Sequence, residues 1–133
     1  MRVVLDTNVF ISSFLGTTSP RKLIDLWKEG KITICFSKEI LDEYVDVLER
    51  LGLRGDREVE EILQLFARNF HSLFTAKTPN LKLVESGPDD NKFFECAVAL
   101  KVQGIISGDK AVLNVANYAG IQVLSPKQFL ETL

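Results

Sequence analysis

Among the eighteen carboxylates of this 133-residue chain, four stand where side chains do chemistry rather than merely face water. Asp6 ends the apolar run MRVVL, with Thr7 and Asn8 behind it, and Asp109 follows Ile105-Ile106-Ser107-Gly108 in the same manner. In open parallel sheets, ligands sit in the crevice outside the carboxyl ends of the strands, where loops and helix N-termini present free polar groups. If both runs are central parallel strands, Asp6 and Asp109 meet at one edge. The plain structural alternative for either residue is an Asx turn. Glu43 is the third: in the helical run after Ser37, it is the acid nearest the apolar stripe, whereas Glu39, Asp42, Asp46 and Glu49 point further away. The fourth lies in the pair Asp89-Asp90, which opens DDNKFFECAVAL and could equally cap that helix. The helical wheel does not separate the two. Carboxylates gathered in one crevice repel each other and take up protons unless a cation joins them. Oxygen ligands suit Mg²⁺ or Mn²⁺, whereas Zn²⁺ favours nitrogen and sulfur.

The elements that must position these acids follow from periodicity and boundary residues. After the first strand, FISSFLG reads as a brief helical turn. The next helix takes Ser19 as N-cap, Pro20 at its first position and Gly30 past its end. Residues 31–36 form a strand. Ser37 caps the following helix, with Ile40, Leu41, Tyr44, Val45, Leu48 and Leu51 at helical spacing, and Leu51-Gly52 ends it. A further amphipathic helix covers 58–70. HSLFTA is a candidate short strand, and TPNLKLVESGPDD an irregular connection. A helix over 90–102, a strand over 104–107, a helix over 111–118, a strand over 121–124 and a terminal helix opened by Ser125-Pro126 complete the order. Strands alternating with helices predict an α/β fold, three layers around a central, mostly parallel sheet.

Composition narrows the function classes. At 46% hydrophobic residues, the length suits one domain with a substantial core, over residues 1–133. The net charge of −2, from 16 basic and 18 acidic side chains, gives no broad basic surface. A polyanionic substrate then needs local patches or cations. Cys35 and Cys96 both fall in apolar surroundings and read as buried free thiols. No signal peptide or membrane span is evident, so a soluble cytoplasmic protein is expected. Trp27 and most phenylalanines fall on helix stripes and belong to the core, and His71 has no nucleophile pattern around it.

Taken in order, VVLDTNVFIS at Asp6, SKEILDEYVDVL at Glu43, DDNKFFECAVAL at Asp90 and IISGDKAVL at Asp109 resemble the motifs of the PIN-domain nucleases. The resemblance runs over essentially the whole chain. It is nearest to the subgroup described as toxins of bacterial and archaeal toxin–antitoxin pairs. It assigns the third acidic position to Asp90 and leaves Asp89 as the helix-capping neighbour. Thr7, Asn8 and Ser107 match positions where the family places small polar residues that orient the acids or the attacking water.

The resemblance implies an Mg²⁺- or Mn²⁺-dependent endoribonuclease that leaves a 5′-phosphate and a 3′-hydroxyl. In a two-metal site, cations about 3.5–4 Å apart clamp the attacking and leaving oxygens of a phosphoryl displacement. Asp6 would anchor the metals, Asp90 and Asp109 would complete the coordination, and Glu43 would ligate or position water. Arg21, Lys22, Lys38 and Lys110 are the candidate phosphate contacts on single-stranded RNA, a role that positions the substrate without specifying its sequence. Lys28 and Lys31 flank the same helix as Arg21. Relatives form homodimers, and those acting as toxins are silenced by an antitoxin peptide over the acidic crevice. Two other readings compete. One is a PIN-fold module that binds RNA or protein without cleaving. The other is a Mg²⁺-dependent phosphoacceptor domain, disfavoured because Asn8 stands where a phosphatase needs a second Asp.

Overall fold

The computed structural model describes residues 1–16 and 18–133. A single sheet of six strands runs in the order β3-β2-β1-β4-β6-β5, where β1 is Arg2–Leu5, β2 Thr33–Ser37, β3 Ser72–Thr75, β4 Gly104–Ile106, β5 Asn117–Tyr118 and β6 Ile121–Leu124. Every pairing is parallel except the β5–β6 hairpin. Helices cover the sheet in a three-layer α/β/α arrangement. They are α1 Thr7–Ser12, α2 Thr18–Lys28, α3 Lys38–Arg50, α4 Arg57–Ala67, α5 Asn91–Ala99, α6 Lys110–Leu113 and α7 Pro126–Glu131. No helix among the described residues is long and apolar enough to cross a membrane.

The central strands are apolar on both faces, as burial under two helical layers requires. Val3, Val4, Leu5, Ile34, Ile105 and Ile106 are all fully buried. They join Trp27, Phe10, Tyr44, Phe93, Phe94 and Phe129 in the core. Cys35 and Cys96 are buried free thiols there, and burial pushes the Cys35 thiol up to about 11. Chain order reverses between β1 and β4: β2 and β3 extend the sheet one way, β4 and β6 the other. The crevice of such a sheet opens at that switch.

Several boundaries differ from those read in the sequence. Helix α2 begins at Thr18, so Ser19 lies in its first turn and is not the cap, and the preceding Thr17 lies outside the described residues. Strand β2 starts at Thr33 and takes in Ser37. Helix α4 stops at Ala67 because Asn69 and His71 adopt positive φ, which turns the chain into β3. Helix α5 spans only Asn91–Ala99. The helix expected over 111–118 is a single turn ending at Leu113. Ala116, Ala119 and Gly120 have positive φ, and the intervening Asn117–Tyr118 pairs antiparallel with β6. The irregular connection before α5 is held by that helix: Asn91 Oδ1 accepts from the backbone N–H groups of Leu83 and Val84 at 2.9 and 2.8 Å, and Glu95 accepts from Leu81 N–H at 2.9 Å.

Candidate active site

At the β1–β4 switch, Asp6 continues the ladder, its N–H donating to Ile106 O at 3.0 Å, and its side chain then caps α1 by accepting from Val9 N–H at 2.9 Å. Its other carboxylate oxygen accepts from the Ser107 hydroxyl. Ser107 in turn accepts from Asp109 N–H at 3.0 Å, and Asp109 caps α6 through Ala111 N–H at 2.8 Å. One buried serine therefore ties together the ends of both central strands.

Helix α3 brings in the third acid. Ser37 caps it through Ile40 N–H at 3.2 Å. The buried Tyr44 hydroxyl donates to Leu5 O, at the end of β1, and its ring stacks on Phe10 at 4.0 Å. Tyr44 thereby fixes the rotation of α3 that turns its neighbour Glu43 toward α1. Thr7 donates to one Glu43 oxygen, and Lys92 Nζ lies 2.6 Å from the other.

Asp6, Thr7, Asn8, Glu43, Asp89, Asp90 and Asp109 line a common crevice of about 280 Å³ with Val47 and Phe93. The sequence-derived acids are thus gathered at one place. Burial raises the Asp6 carboxyl above its ordinary range, and the nearby charge of Asp109 adds to this against the hydrogen bonds from Ser107 and Val9. Asp90 is raised by partial burial and then by the charges of Asp109, Asp6 and Glu43, against the opposing charge of Lys92. These mutual influences mark one electrostatic unit. A larger depression of about 390 Å³, lined by Phe36, Leu41, Val45, Leu63, Phe66 and Phe74, is apolar and lacks the acid groups for this chemistry.

Two expectations need correction. First, among the described residues no three Asp, Glu, His or Cys side chains stand close enough to hold one metal ion between them, so the crevice is not the tight four-acid cradle anticipated. Asp6, Glu43 and Asp109 are drawn to protein donors instead: helix N–H groups, Ser107, Thr7 and Lys92. Like charges repel, which favours that arrangement. Second, Asp89 is not the cap of α5. It belongs to a 3₁₀ turn over Pro88–Asp90; Asp90 occupies the N-cap position of α5, and neither segment has a side-chain cap bond. The candidate phosphate contacts Arg21, Lys22, Lys38 and Lys110 lie outside the crevice lining. Arg21 pairs with Glu58 and Asp25, and Lys38 with Asp42 at 2.8 Å. Lys110 directly follows Asp109 in the chain and is exposed.

Sequence reasoning missed Lys92, the cation that pairs with Glu43 beside the crevice. Its only signal was its place two residues after Asp90, on the helix that packs against α3. Gly87 was missed too. A Cβ at that position would fall 2.8 Å from Asp90 Oδ2, so the absence of a side chain there makes room for the carboxylate.

The donor set fits a hard divalent cation. Every titratable side chain lining the crevice is a carboxylate, with hydroxyl and amide oxygens beside them, and neither imidazole nor thiol is present there. Mg²⁺ keeps several waters in its shell and is bound through one or two carboxylates, so it does not require three acids in direct contact.

Comparison with known proteins agrees with this geometry. The sequence profile of the family described as PIN domain matches residues 2–111, a span that includes all four acids. An uncharacterized protein of Methanocaldococcus jannaschii is 32% identical over 145 aligned positions, covering 98% of this chain and 90% of that protein. No solved structure matches the chain.

Proposed function

The chain belongs to the PIN-domain family, a fold typical of metal-dependent nucleases, and on that premise we propose that it is an Mg²⁺- or Mn²⁺-dependent endoribonuclease. The observation carrying this reading is the crevice at the β1–β4 switch, where Asp6, Glu43, Asp90 and Asp109 converge from four different elements. Asp6, Asp90 and Asp109 are the carboxylates from which the cation would take its one or two direct protein ligands, with water filling the rest of its shell. When bound, it would supply Lewis acidity toward a phosphoryl oxygen and acidify a water.

This chain's own residues do the rest. Ser107 and the first turn of α1 orient the Asp6 carboxylate. Thr7 and Lys92 fix Glu43, which positions the attacking water. Exposed Asn8 offers an amide at the rim for the nucleic-acid strand. Cleavage leaves a 5′-phosphate and a 3′-hydroxyl. The four motifs support a place among the toxins of toxin–antitoxin pairs, acting in the cytoplasm as a homodimer silenced by an antitoxin peptide laid over the crevice. A small reading frame beside the gene, whose product abolishes cleavage, is the expected companion; light scattering at micromolar concentration should give twice the monomer mass.

The deciding experiment incubates single-stranded RNA with the protein and Mn²⁺ or Mg²⁺, with chelator as control. Metal-dependent internal cleavage supports the reading. Intact RNA together with no calorimetric signal on adding either metal points to the non-cleaving binding module instead.

A further inference from the structure

Lys92 stands beside the crevice and pairs with one of its acids, Glu43, with a charge opposite to theirs. Only 15% of its side chain is exposed, against 31% for Glu43, and the two meet at 2.6 Å. Its stem runs beside Phe93, with Nζ 5.7 Å from that ring centroid. A lysine is almost never so buried unless paired, because its ammonium loses hydration. Both oxygens of its partner are engaged in return: one Glu43 oxygen faces Lys92 and the other accepts from Thr7.

With one cation drawing on Asp6, Asp90 and Asp109, a second in the same crevice would turn to Glu43. Lys92 already satisfies that carboxylate and places a positive charge beside it, which repels another cation. Asp6, Asp90 and Asp109, by contrast, have no ammonium or guanidinium partner among the described residues.

We propose that Lys92 is a positioning residue that holds Glu43 away from the metal and takes the place of a second cation, so that each chain binds a single divalent ion. The proposal rests on the metal-dependent reading of the crevice and fixes how many ions it takes.

Calorimetric titration of Mn²⁺ into the full chain tests it without reference to turnover. The wild-type protein is expected to bind one ion. Lys92→Met keeps the aliphatic stem, removes the charge and frees Glu43, and should bind two. Lys92→Arg restores the charge and should return to one. Two ions on the wild-type chain, or one on Lys92→Met, overturns the proposal while leaving the nuclease reading intact. No ion on the wild-type chain overturns both. Should Lys92→Met fail to melt cooperatively, Glu43→Gln decides: retention of one ion supports a positioning role, and loss of the ion shows Glu43 to be a ligand and overturns it.

Discussion

Four parallel strands of this sheet deliver the chain into a helix through a side-chain cap, and the caps differ in kind. The outer strands β2 and β6 use serines, Ser37 on α3 and Ser125 on α7, the latter in a capping box with Gln128. The central strands β1 and β4 use carboxylates, Asp6 on α1 and Asp109 on α6. Serine and aspartate cap helices about equally well. The negative charge at the central pair therefore exceeds what the helices require, and it is carried at a cost, since burial and the neighbouring acid both raise Asp6. The outer caps hold the fold together. The central caps do that and also build the crevice.

The comparison breaks most visibly if the central charge is removed. Asp6→Asn retains an oxygen for Val9 N–H and should stay folded, yet lose metal-dependent RNA cleavage by about a thousandfold, equivalent to roughly 4 kcal/mol of barrier. Unchanged cleavage would reduce Asp6 to a cap like Ser125. A gentler perturbation is Gly87→Ala, whose methyl would press on Asp90 Oδ2. Cleavage should fall about tenfold, about 1.4 kcal/mol of barrier, with the thermal midpoint nearly unmoved. An equal loss in a variant altered only at Asp89 would transfer the role to that neighbour.

The outer caps should behave in the opposite way. Ser125→Ala removes the bond to Gln128 N–H and should lower stability by about 1 kcal/mol in denaturant unfolding while leaving cleavage as it was. A parallel loss of activity would show that the two kinds of cap do not divide the work. The smallest effect concerns pH. Because the folded-state pKa of Asp90 is raised above its ordinary 3.8, its contribution to stability is full below the unfolded value and lost as pH rises through the folded value. In chelated buffer, Asp90→Asn should match the wild-type melting temperature at the acid end and exceed it by about 1–3 °C at neutral pH. A difference that shrinks with rising pH would contradict the raised value.

Much of this arrangement was legible before any coordinates. Apolar strands ending on polar residues gave β1, β2, β4 and β6. Ser37 and Ser125 announced their helices because a cap is a local hydrogen bond between near neighbours in the chain. The site acids were legible where local pattern places them, at strand ends and beside an apolar stripe. The failures share a cause. Helix α6 gives way after one turn to β5 because a hairpin with β6 claims Asn117 and Tyr118, a competition that no helix-period count registers. The capping role of Asp89 failed because a 3₁₀ turn shifts the start of α5 by a residue.

By itself, then, the sequence determined the α/β class, the apolar strands and the helix-starting Ser37 and Ser125, and it singled out the candidate acids at strand ends and beside an apolar stripe, because each depends on residues a few positions apart. Only the tertiary structure decided which groups those acids touch. Ser107 lies 101 residues from Asp6, and Lys92 lies 49 from Glu43. Bonds across such separations depend on strand order and on the rotation of α3 that Tyr44 fixes, and long-range packing sets both.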